Sequence, residues 1–219
     1  WQWLLRLGPV GFWLRTKIFV TFLWFRGKLG GYDVLYTRDA LAALALSFVK
    51  KRVYLELHDI SSTRITSWAA RRVRGVIAIS KGLAEKVEKF CHTPVVIAPD
   101  GVDLEEFEVT ITQAEARAQF DLPLDKKIVL YAGLFDEWKG YRALLEASKL
   151  SPPDALLVMA GGRTDQTATL SREYPSVRFL GWTDYAMLPV LQKAADVLVL
   201  PNSAKYEISR LYTSPLKLF

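Results

Sequence analysis

A lysine that follows a glycine-ended apolar run is the first candidate for chemistry in this sequence. The run Ile128–Ala132 is short and continuous, it ends at Gly133, and Lys139 and Gly140 follow after five residues. Free amides at a helix start and a lysine charge together suit a phosphate group. The alternative is an ordinary strand–helix turn with a solvated lysine, because a single glycine is a weak signal.

The elements around Lys139 follow from the apolar pattern. A short apolar run closed by glycine predicts a buried parallel strand. The segment YRALLEASKL after Gly140 predicts a helix, with Leu144, Leu145 and Leu150 on one face. The order strand, glycine turn, lysine, helix is therefore consistent with a phosphate-binding geometry.

The rest of the second half repeats this pattern. Four predicted strands each end in glycine or proline, at the edge where open parallel sheets bind ligands. The sequence has no G-x-G-x-x-G and no Walker loop. It therefore lacks the phosphate-binding loops of dinucleotide oxidoreductases and of P-loop NTPases. The four strands are KIVLYAG, ending at Gly133; DALLVMAGG, ending at Gly161 and Gly162; SVRFLGW, ending near Gly181; and ADVLVLP, ending at Pro201.

The first half also alternates predicted strands and helices, which indicates βαβ units and a parallel sheet. Ser80 and Asp103 are suited to cap the segments that follow them. We expect a first domain at 1–108, a connection at 109–126 and a second domain at 127–219. The predicted strands are DVLYT, RVYLELHD, GVIAIS and PVVIAPDGVD, and the helices are ALAALALSFVK, SWAARRVR and KGLAEKVEKF.

The charge is uneven along the 219 residues. Residues 1–99 hold 16 Lys and Arg against 6 Asp and Glu, whereas the remainder is acidic. A basic first half suggests an anionic partner: a membrane surface, a phosphorylated acceptor or nucleic acid. One cysteine, Cys91, excludes an intramolecular disulfide and fits a reducing compartment.

The basic aromatic segment 1–28 has too short an uncharged apolar core to span a bilayer, and no small-residue cleavage site follows it. It is typical of a helix on an anionic membrane face, or of an internal helix whose aromatic side chains pack on a sheet. The chain begins at Trp1 and ends within an apolar run at Phe219. We therefore expect a fragment, with both domains incomplete.

Several stretches in order resemble the retaining glycosyltransferases of family four, which have the GT-B fold. The last stretch resembles the SPLKLF-type subgroup, and together they cover most of the chain from Tyr32 onward. The resemblance implies an α/β fold with two Rossmann-like domains, one for a nucleotide-sugar and one for the acceptor. The stretches are VIAISKGL, VVIAPDGVDLEEF, IVLYAGLFDEWKGYRALLEA, LLVMAGG, VRFLGW, ADVLVLPNS and YTSPLKLF.

The resemblance also implies roles for individual residues. The donor diphosphate would contact Lys139 and the amides of a helix start, with Gly133 permitting close approach. His58 would contact the transferred sugar, and it is otherwise a satisfied core histidine. Trp182 would stack at the base, and it otherwise packs under the sheet. The remaining assignments are Ser214, Leu216 and Lys217 at the diphosphate; Gly161, Gly162 and Gly181 at the base and ribose; and Asp100 and Gly101 shaping the cleft.

Two positions depart from the family pattern. Leu134 stands where many members have an arginine, so a second phosphate cation is missing unless Arg163 or another basic residue replaces it. Tyr212 stands at the first glutamate of the paired-glutamate motif, as in relatives of the SPLKLF type. The second glutamate would fall beyond Phe219, so this fragment is expected to lack the ribose contact and to be inactive alone.

The resemblance implies transfer of a sugar from a nucleotide diphosphate sugar to an acceptor hydroxyl with retention, for cell-surface polysaccharide or glycolipid synthesis. A sugar or lipid-linked acceptor, a cytoplasmic location and contact with an anionic membrane are expected, with no nucleic acid. We expect no cofactor and no metal, because His58 and His92 lack ligand spacing. The alternatives are a GT-B epimerase and a non-catalytic nucleotide-binding subunit.

Overall fold

The computed structural model describes residues 8–25, 31–49, 52–60 and 63–213, which divide into two compact units. The first unit contains the described residues up to Asp100 together with 210–213, and the second runs from Gly101 to Ser209. Each unit contains one four-stranded sheet, and every strand pair is parallel. The predicted α/β class with two parallel sheets is confirmed, while the predicted domain limits stay a prediction.

The first sheet has the strand order β1-β2-β3-β4. Helices lie between successive strands, as the alternation in the sequence predicts. The elements of this unit are α1 (Gly8–Phe25), β1 (Leu35–Thr37), α2 (Ala40–Leu46), β2 (Val53–Leu57), α3 (Thr63–Arg72), β3 (Gly75–Ala78), α4 (Lys81–Glu88) and β4 (Val95–Ile97).

The core of the first unit lies between this sheet and its helices. Leu55 and Val76 from the central strands and Leu83 from α4 are fully buried. The Ser80 hydroxyl accepts a hydrogen bond from the Leu83 amide, which confirms the predicted cap of α4. Cys91 is buried in the same core, and this burial raises the pKa of its thiol.

Helix α1 packs against α2 but keeps many apolar side chains in contact with solvent. A mostly apolar pocket of about 530 Å³ is lined by both helices. No helix in the described ranges is both long and apolar enough to cross a membrane. The two interpretations of this helix, an anionic membrane face and packing on a missing sheet, both stay predictions, and both concern its exposed large apolar residues. These large apolar residues are Val10, Trp13, Leu14, Ile18, Phe19 and Phe22.

The second sheet has the order β7-β6-β5-β8. Strand β5 pairs with β6 on one side and β8 on the other, so the strand order reverses at β5. Such a switch point leaves a crevice at the carboxyl ends of the strands. The elements are α5 (Gln113–Gln119), β5 (Lys127–Ala132), α6 (Tyr141–Ser148), β6 (Ala155–Ala160), α7 (Thr164–Glu173), β7 (Arg178–Gly181), α8 (Leu188–Ala194), β8 (Val197–Leu198) and α9 (Glu207–Leu211).

Helix α5 lies inside the stretch 109–126 that the sequence predicts as a connection. Its Arg117 side chain is buried and contacts Asp196, with 2.6 Å between Nη2 and Oδ2. The Ile128 amide also donates to Asp196, and this hydrogen bond, with the Arg117 charge, lowers the pKa of the carboxyl. Removing one partner of such a pair costs about 3–5 kcal/mol. These contacts tie α5 to the second sheet.

The helix after Gly140 is shorter than predicted. Helix α6 ends at Ser148, with Leu145 fully buried and Leu144 half-buried. Leu150 lies beyond the helix end and is 88% exposed, so the prediction that it shares the buried face is wrong. The chain turns away at Ser151-Pro152-Pro153, because proline cannot continue a helix.

Candidate functional site

The loop after β5 is held by side chains of β5, α6 and α7. The Tyr131 hydroxyl donates to the Leu134 carbonyl at 2.7 Å, and burial raises the pKa of Tyr131 well above its usual range, so the donor proton is retained. The Gln166 amide donates to the Phe135 carbonyl at 2.9 Å. Phe135 stacks on Tyr141 with 5.4 Å between ring centroids. The chain next to Gly133 is therefore fixed relative to the sheet.

Lys139 lies in a 3₁₀ turn, Glu137–Lys139, directly before α6. Gly140 has φ 71°, and a Cβ there would overlap the carbonyl oxygen of Pro201. The Ser203 amide also donates to the Trp138 carbonyl at 2.9 Å. The turn therefore packs against the chain that leaves β8, and only glycine fits at this close approach.

The Lys139 side chain is 17% exposed, so its charge sits in a partly enclosed position. Its Nζ lies 3.7 Å from Asp136 Oδ2 and 5.0 Å from the centroid of the Trp138 ring. Glu137 is occupied elsewhere: Arg142 donates to its Oε1 at 2.8 Å, which lowers the pKa of Glu137. The ammonium group thus has one long carboxylate contact, which a stronger anion could replace.

Three glycines close the neighbouring strands. Gly161 has φ 109°, and a Cβ there would overlap the Gly133 carbonyl. Its amide donates to the Gly181 carbonyl at 2.6 Å. A Cβ at Gly162 would lie 2.6 Å from the Phe135 ring, and Gly181 has φ 69°. Glycine at these positions lets three strand ends approach one another closely.

A pocket of about 320 Å³ opens at this carboxyl edge of the second sheet. It brings together four residues that the sequence assigns to the donor, and it adds three polar or apolar side chains that sequence reasoning missed. The four are Gly133, Lys139, Gly161 and Trp182, and the three are Thr183, Leu188 and Gln192. Leu188 and Gln192 are one turn apart on α8, a spacing that nothing in the sequence marked as functional. Gly162 and Gly181 support this edge without lining the pocket.

Trp182 presents its indole to solvent beside the pocket. It is 77% exposed, so it does not pack beneath the sheet. An exposed aromatic face at a pocket mouth can stack on a planar ligand group. The stacking assignment stays a prediction.

The missing second cation is not replaced by Arg163. That side chain is 76% exposed and contacts Asp165, with 3.3 Å between Nε and Oδ1. Leu134 lines the pocket at the position of the expected arginine. Among the residues that the structure describes, Lys139 is the only lysine or arginine lining this pocket.

His58 follows β2 directly at the carboxyl edge of the first sheet. Its Nε2 lies 2.5 Å from Glu56 Oε1, and Arg38 Nη2 lies 2.9 Å from the same oxygen. One ligand atom from each of Glu56, His58 and Asp100 lies within 4.8 Å of the other two. His58 also lines a pocket of about 460 Å³, together with Trp13, Arg38, Asp39, Ala40, Leu41, Leu57, Asp59, Ile65 and Thr66. The first unit therefore has its own polar site.

Glu56 and Arg38 were not identified from the sequence. A signal was present, because Glu56 interrupts the apolar strand Val53–Leu57 with a charged residue that the fold buries. By distance, Glu56, His58 and Asp100 are the kind of cluster that can hold a cation. Glu56 already accepts from both His58 and Arg38, so a hydrogen-bonded network explains the geometry without one. The expectation that no metal or cofactor takes part stays a prediction.

The structure describes only some of the remaining predicted site residues. Asp100 ends the first unit, and Gly101 begins the second with open space around its Cα. Ser214, Leu216 and Lys217 lie outside the described residues, and their convergence on Lys139 stays a prediction. Tyr212 packs against the first core, and its hydroxyl accepts from Lys86 Nζ at 2.8 Å. At the position of the family's glutamate, Tyr212 therefore makes a packing contact.

Part of the second unit is similar to a described protein family. Residues 112–207 match the family described as Glycosyl transferases group 1. A curated relative, the uncharacterized glycosyltransferase MJ1607 of Methanocaldococcus jannaschii, is 31% identical over 140 residues. That alignment covers 58% of this chain and 36% of the relative, so the chain spans about a third of the relative's length.

Solved structures share the fold across both sheets. Sucrose-phosphate synthase from Thermosynechococcus elongatus is 23% identical, with a TM-score of 0.67, over 87% of this chain and 57% of that one. Anabaena Alr3699/HepE in complex with UDP is 20% identical, with a TM-score of 0.70, over 84% of this chain and 57% of that one. These matches confirm the predicted GT-B-like α/β fold with two parallel sheets.

Proposed function

We propose that this chain is part of a glycosyltransferase that moves a sugar from a nucleotide diphosphate sugar to an acceptor hydroxyl. The family match and the relative named as a glycosyltransferase both support a transferase. The observation that carries the proposal is the pocket of the second unit, where Gly133, Gly161, Lys139 and Trp182 meet at a sheet switch point. Such a crevice is the usual ligand site of an open α/β sheet.

The chemistry requires a site for a departing diphosphate. The bond between the anomeric carbon and the terminal phosphate oxygen breaks, and a bond to the acceptor oxygen forms on the same face, so the configuration is retained. The acceptor proton passes to the departing phosphate oxygen. Negative charge grows on the diphosphate during this step, so the Lys139 ammonium and the free amides at the start of α6 would stabilise the transition state.

The nucleotide would lie against the glycine-closed strand ends. Gly161, Gly162 and Gly181 would let the base and ribose approach the backbone, and the exposed indole of Trp182 offers a stacking face. Because the related HepE structure contains UDP, we propose a uridine diphosphate sugar as the donor to test first. Ser214, Leu216 and Lys217 would complete the diphosphate site.

The first unit would provide the acceptor side. His58 would contact the transferred sugar, and Asp100 and Gly101 would shape the cleft. The pocket that His58 lines contains an indole, two carboxylates and a hydroxyl, from Trp13, Asp39, Asp59 and Thr66. A mixture of apolar and hydrogen-bonding groups suits a sugar hydroxyl.

The composition of helix α1 supports the proposal that the transfer reaction takes place at a membrane surface. Its exposed apolar residues include Trp13, Phe19 and Phe22, and the first half of the chain is strongly basic. This combination suits peripheral attachment to an anionic, cytoplasmic membrane face, with a lipid-linked or polysaccharide acceptor. Vesicle flotation tests the proposal: recovery should be higher with anionic than with neutral liposomes. Equal recovery from both would overturn it.

The donor site is tested by UDP binding to the full chain. Lys139→Ala should weaken binding by about 10- to 100-fold, because charged hydrogen bonds contribute about 1.5–3 kcal/mol. Lys193→Ala removes an exposed lysine of α8 outside the pocket and should leave the dissociation constant unchanged. Leu134→Arg places a second cation in the pocket and should tighten binding by several-fold.

Two results would reject or narrow the proposal. Unchanged UDP affinity in Lys139→Ala would show that the diphosphate binds elsewhere. In the complete protein of which this chain is part, UDP binding without transfer from any nucleotide diphosphate sugar would favour the non-catalytic subunit, for which Leu134 in place of arginine is the supporting observation. Calorimetry with UDP, followed by product analysis with and without an added acceptor, separates these cases and also detects an epimerase.

A further inference from the structure

A buried carboxylate in β2 stands out because apolar residues would pack there at lower cost. Glu56 is 5% exposed and lies one residue before the end of a strand that pairs with β1 and β3 on its two sides. Burying a charge costs free energy unless it is paired and hydrogen-bonded. A well-packed apolar residue often replaces a buried ion pair without loss of stability. The fold alone therefore does not explain this carboxylate.

The contacts of Glu56 lead to the carboxyl edge of the sheet. Its Oε1 lies 2.9 Å from Arg38 Nη2 and 2.5 Å from His58 Nε2. Arg38 is 65% exposed, and an exposed ion pair contributes little stability. The short contact is with His58, whose side chain is 36% exposed and lines the pocket of the first unit. Glu56 thus connects the sheet interior to an accessible imidazole.

This contact determines which nitrogen of His58 carries a proton. An ionised carboxylate only accepts hydrogen bonds, so the hydrogen atom between the two residues belongs to Nε2. The second ring nitrogen, Nδ1, is then the atom that remains for another partner. Carboxylates that bind one nitrogen of a histidine commonly fix its tautomer and its ring orientation in this way.

We propose that Glu56 is a positioning residue: it holds the His58 ring through Nε2 and leaves Nδ1 as the ring atom that meets the sugar. This inference rests on the proposed function, in which His58 contacts the transferred sugar. Arg38 places a guanidinium 2.9 Å from the same carboxylate oxygen. Asp100, which has a carboxylate oxygen within 4.8 Å of a ligand atom of Glu56 and of His58, is the neighbouring carboxylate that the sugar hydroxyl would also meet.

The hydrogen bond can be observed directly by nitrogen NMR of the full chain labelled at histidine. The sequence has two histidines, so His92→Ala assigns both rings. The wild type should show a downfield, slowly exchanging Nε2 proton for His58. Glu56→Gln retains an acceptor oxygen and should retain the signal, Glu56→Leu should lose it, and Glu85→Gln, an exposed carboxylate of α4, should leave it unchanged.

A second measurement separates positioning from folding and from donor binding. In the complete protein of which this chain is part, UDP-glucose turnover should fall by roughly 10- to 100-fold in Glu56→Leu, the range known for removing the carboxylate partner of a metal-bound histidine. Glu56→Gln should recover part of this loss. UDP affinity should be unchanged in both variants, because the donor pocket is built by the second unit.

The outcomes are distinct. Absence of a hydrogen-bonded Nε2 proton in the wild type overturns the inference even if Glu56→Leu fails to fold. Wild-type turnover by a folded Glu56→Leu also overturns it. Loss of the His58 signal on adding EDTA would assign the cluster to a metal ion instead. Failure of the wild type to bind UDP would reject the proposed function and leave the NMR result standing.

Discussion

The two units contain similar parallel sheets, but different chemical groups lie at the carboxyl edges of these sheets. The edge of the first sheet is a set of charged side chains, with Arg38, Glu56, His58 and Asp100 in one network. The edge of the second sheet is mostly backbone, with glycines at the strand ends and one lysine beside the pocket. Backbone amides suit a group common to many substrates, such as a diphosphate, whereas oriented side chains suit a particular hydroxyl.

Among the variants that test this comparison, Gly161→Ala should have the largest effect, a loss of stability. Its φ of 109° and the overlap of an added Cβ with the Gly133 carbonyl predict a loss of about 3 kcal/mol or more in the free energy of unfolding. Gly31→Ala, in the first unit, adds a Cβ in open space and should change it by less than about 0.5 kcal/mol. Urea unfolding of both variants is the measurement. Equal stability would mean that the second edge is not built on close backbone packing.

A smaller effect is expected from Trp182→Ala. Stacking of a base on an aromatic side chain contributes about 1–3 kcal/mol, so UDP should bind roughly 5- to 150-fold more weakly. Stability should be nearly unchanged, because the side chain is 77% exposed. Trp68→Ala removes another exposed tryptophan, 61% exposed, from α3 of the first unit and serves as the control. Equal UDP affinities in the two variants would remove Trp182 from the donor site.

Much of the fold could be predicted because it depends on local pattern. All eight strands were predicted from apolar runs, and the helices between them required parallel pairing. The strand order β7-β6-β5-β8 could not be read from the sequence, because it depends on which faces pack together. Helix α5 was missed for the same reason: its buried Arg117 contacts Asp196 and the Ala194 carbonyl, both far along the chain.

The candidate site residues also divide into those that a local pattern predicts and those that depend on distant contacts. Gly133, Gly161 and Lys139 could be predicted, since glycine at a strand end is a local signal with a direct structural meaning. Gln192 and Thr183 could not, because they enter the pocket from another element. Glu56 could be recognised as a charged residue in an apolar strand. Its contact with Arg38 could not be predicted, because Arg38 is 18 residues away and the contact depends on strand pairing.

The single buried thiol makes this protein convenient for fluorescence work. Cys91 is enclosed in the first core, and the raised pKa keeps it protonated and weakly nucleophilic. Maleimide dyes should therefore react with cysteines introduced at exposed positions while the native one stays silent. One dye on each unit would then let energy transfer report, in single molecules, whether their separation changes when a nucleotide-sugar is added.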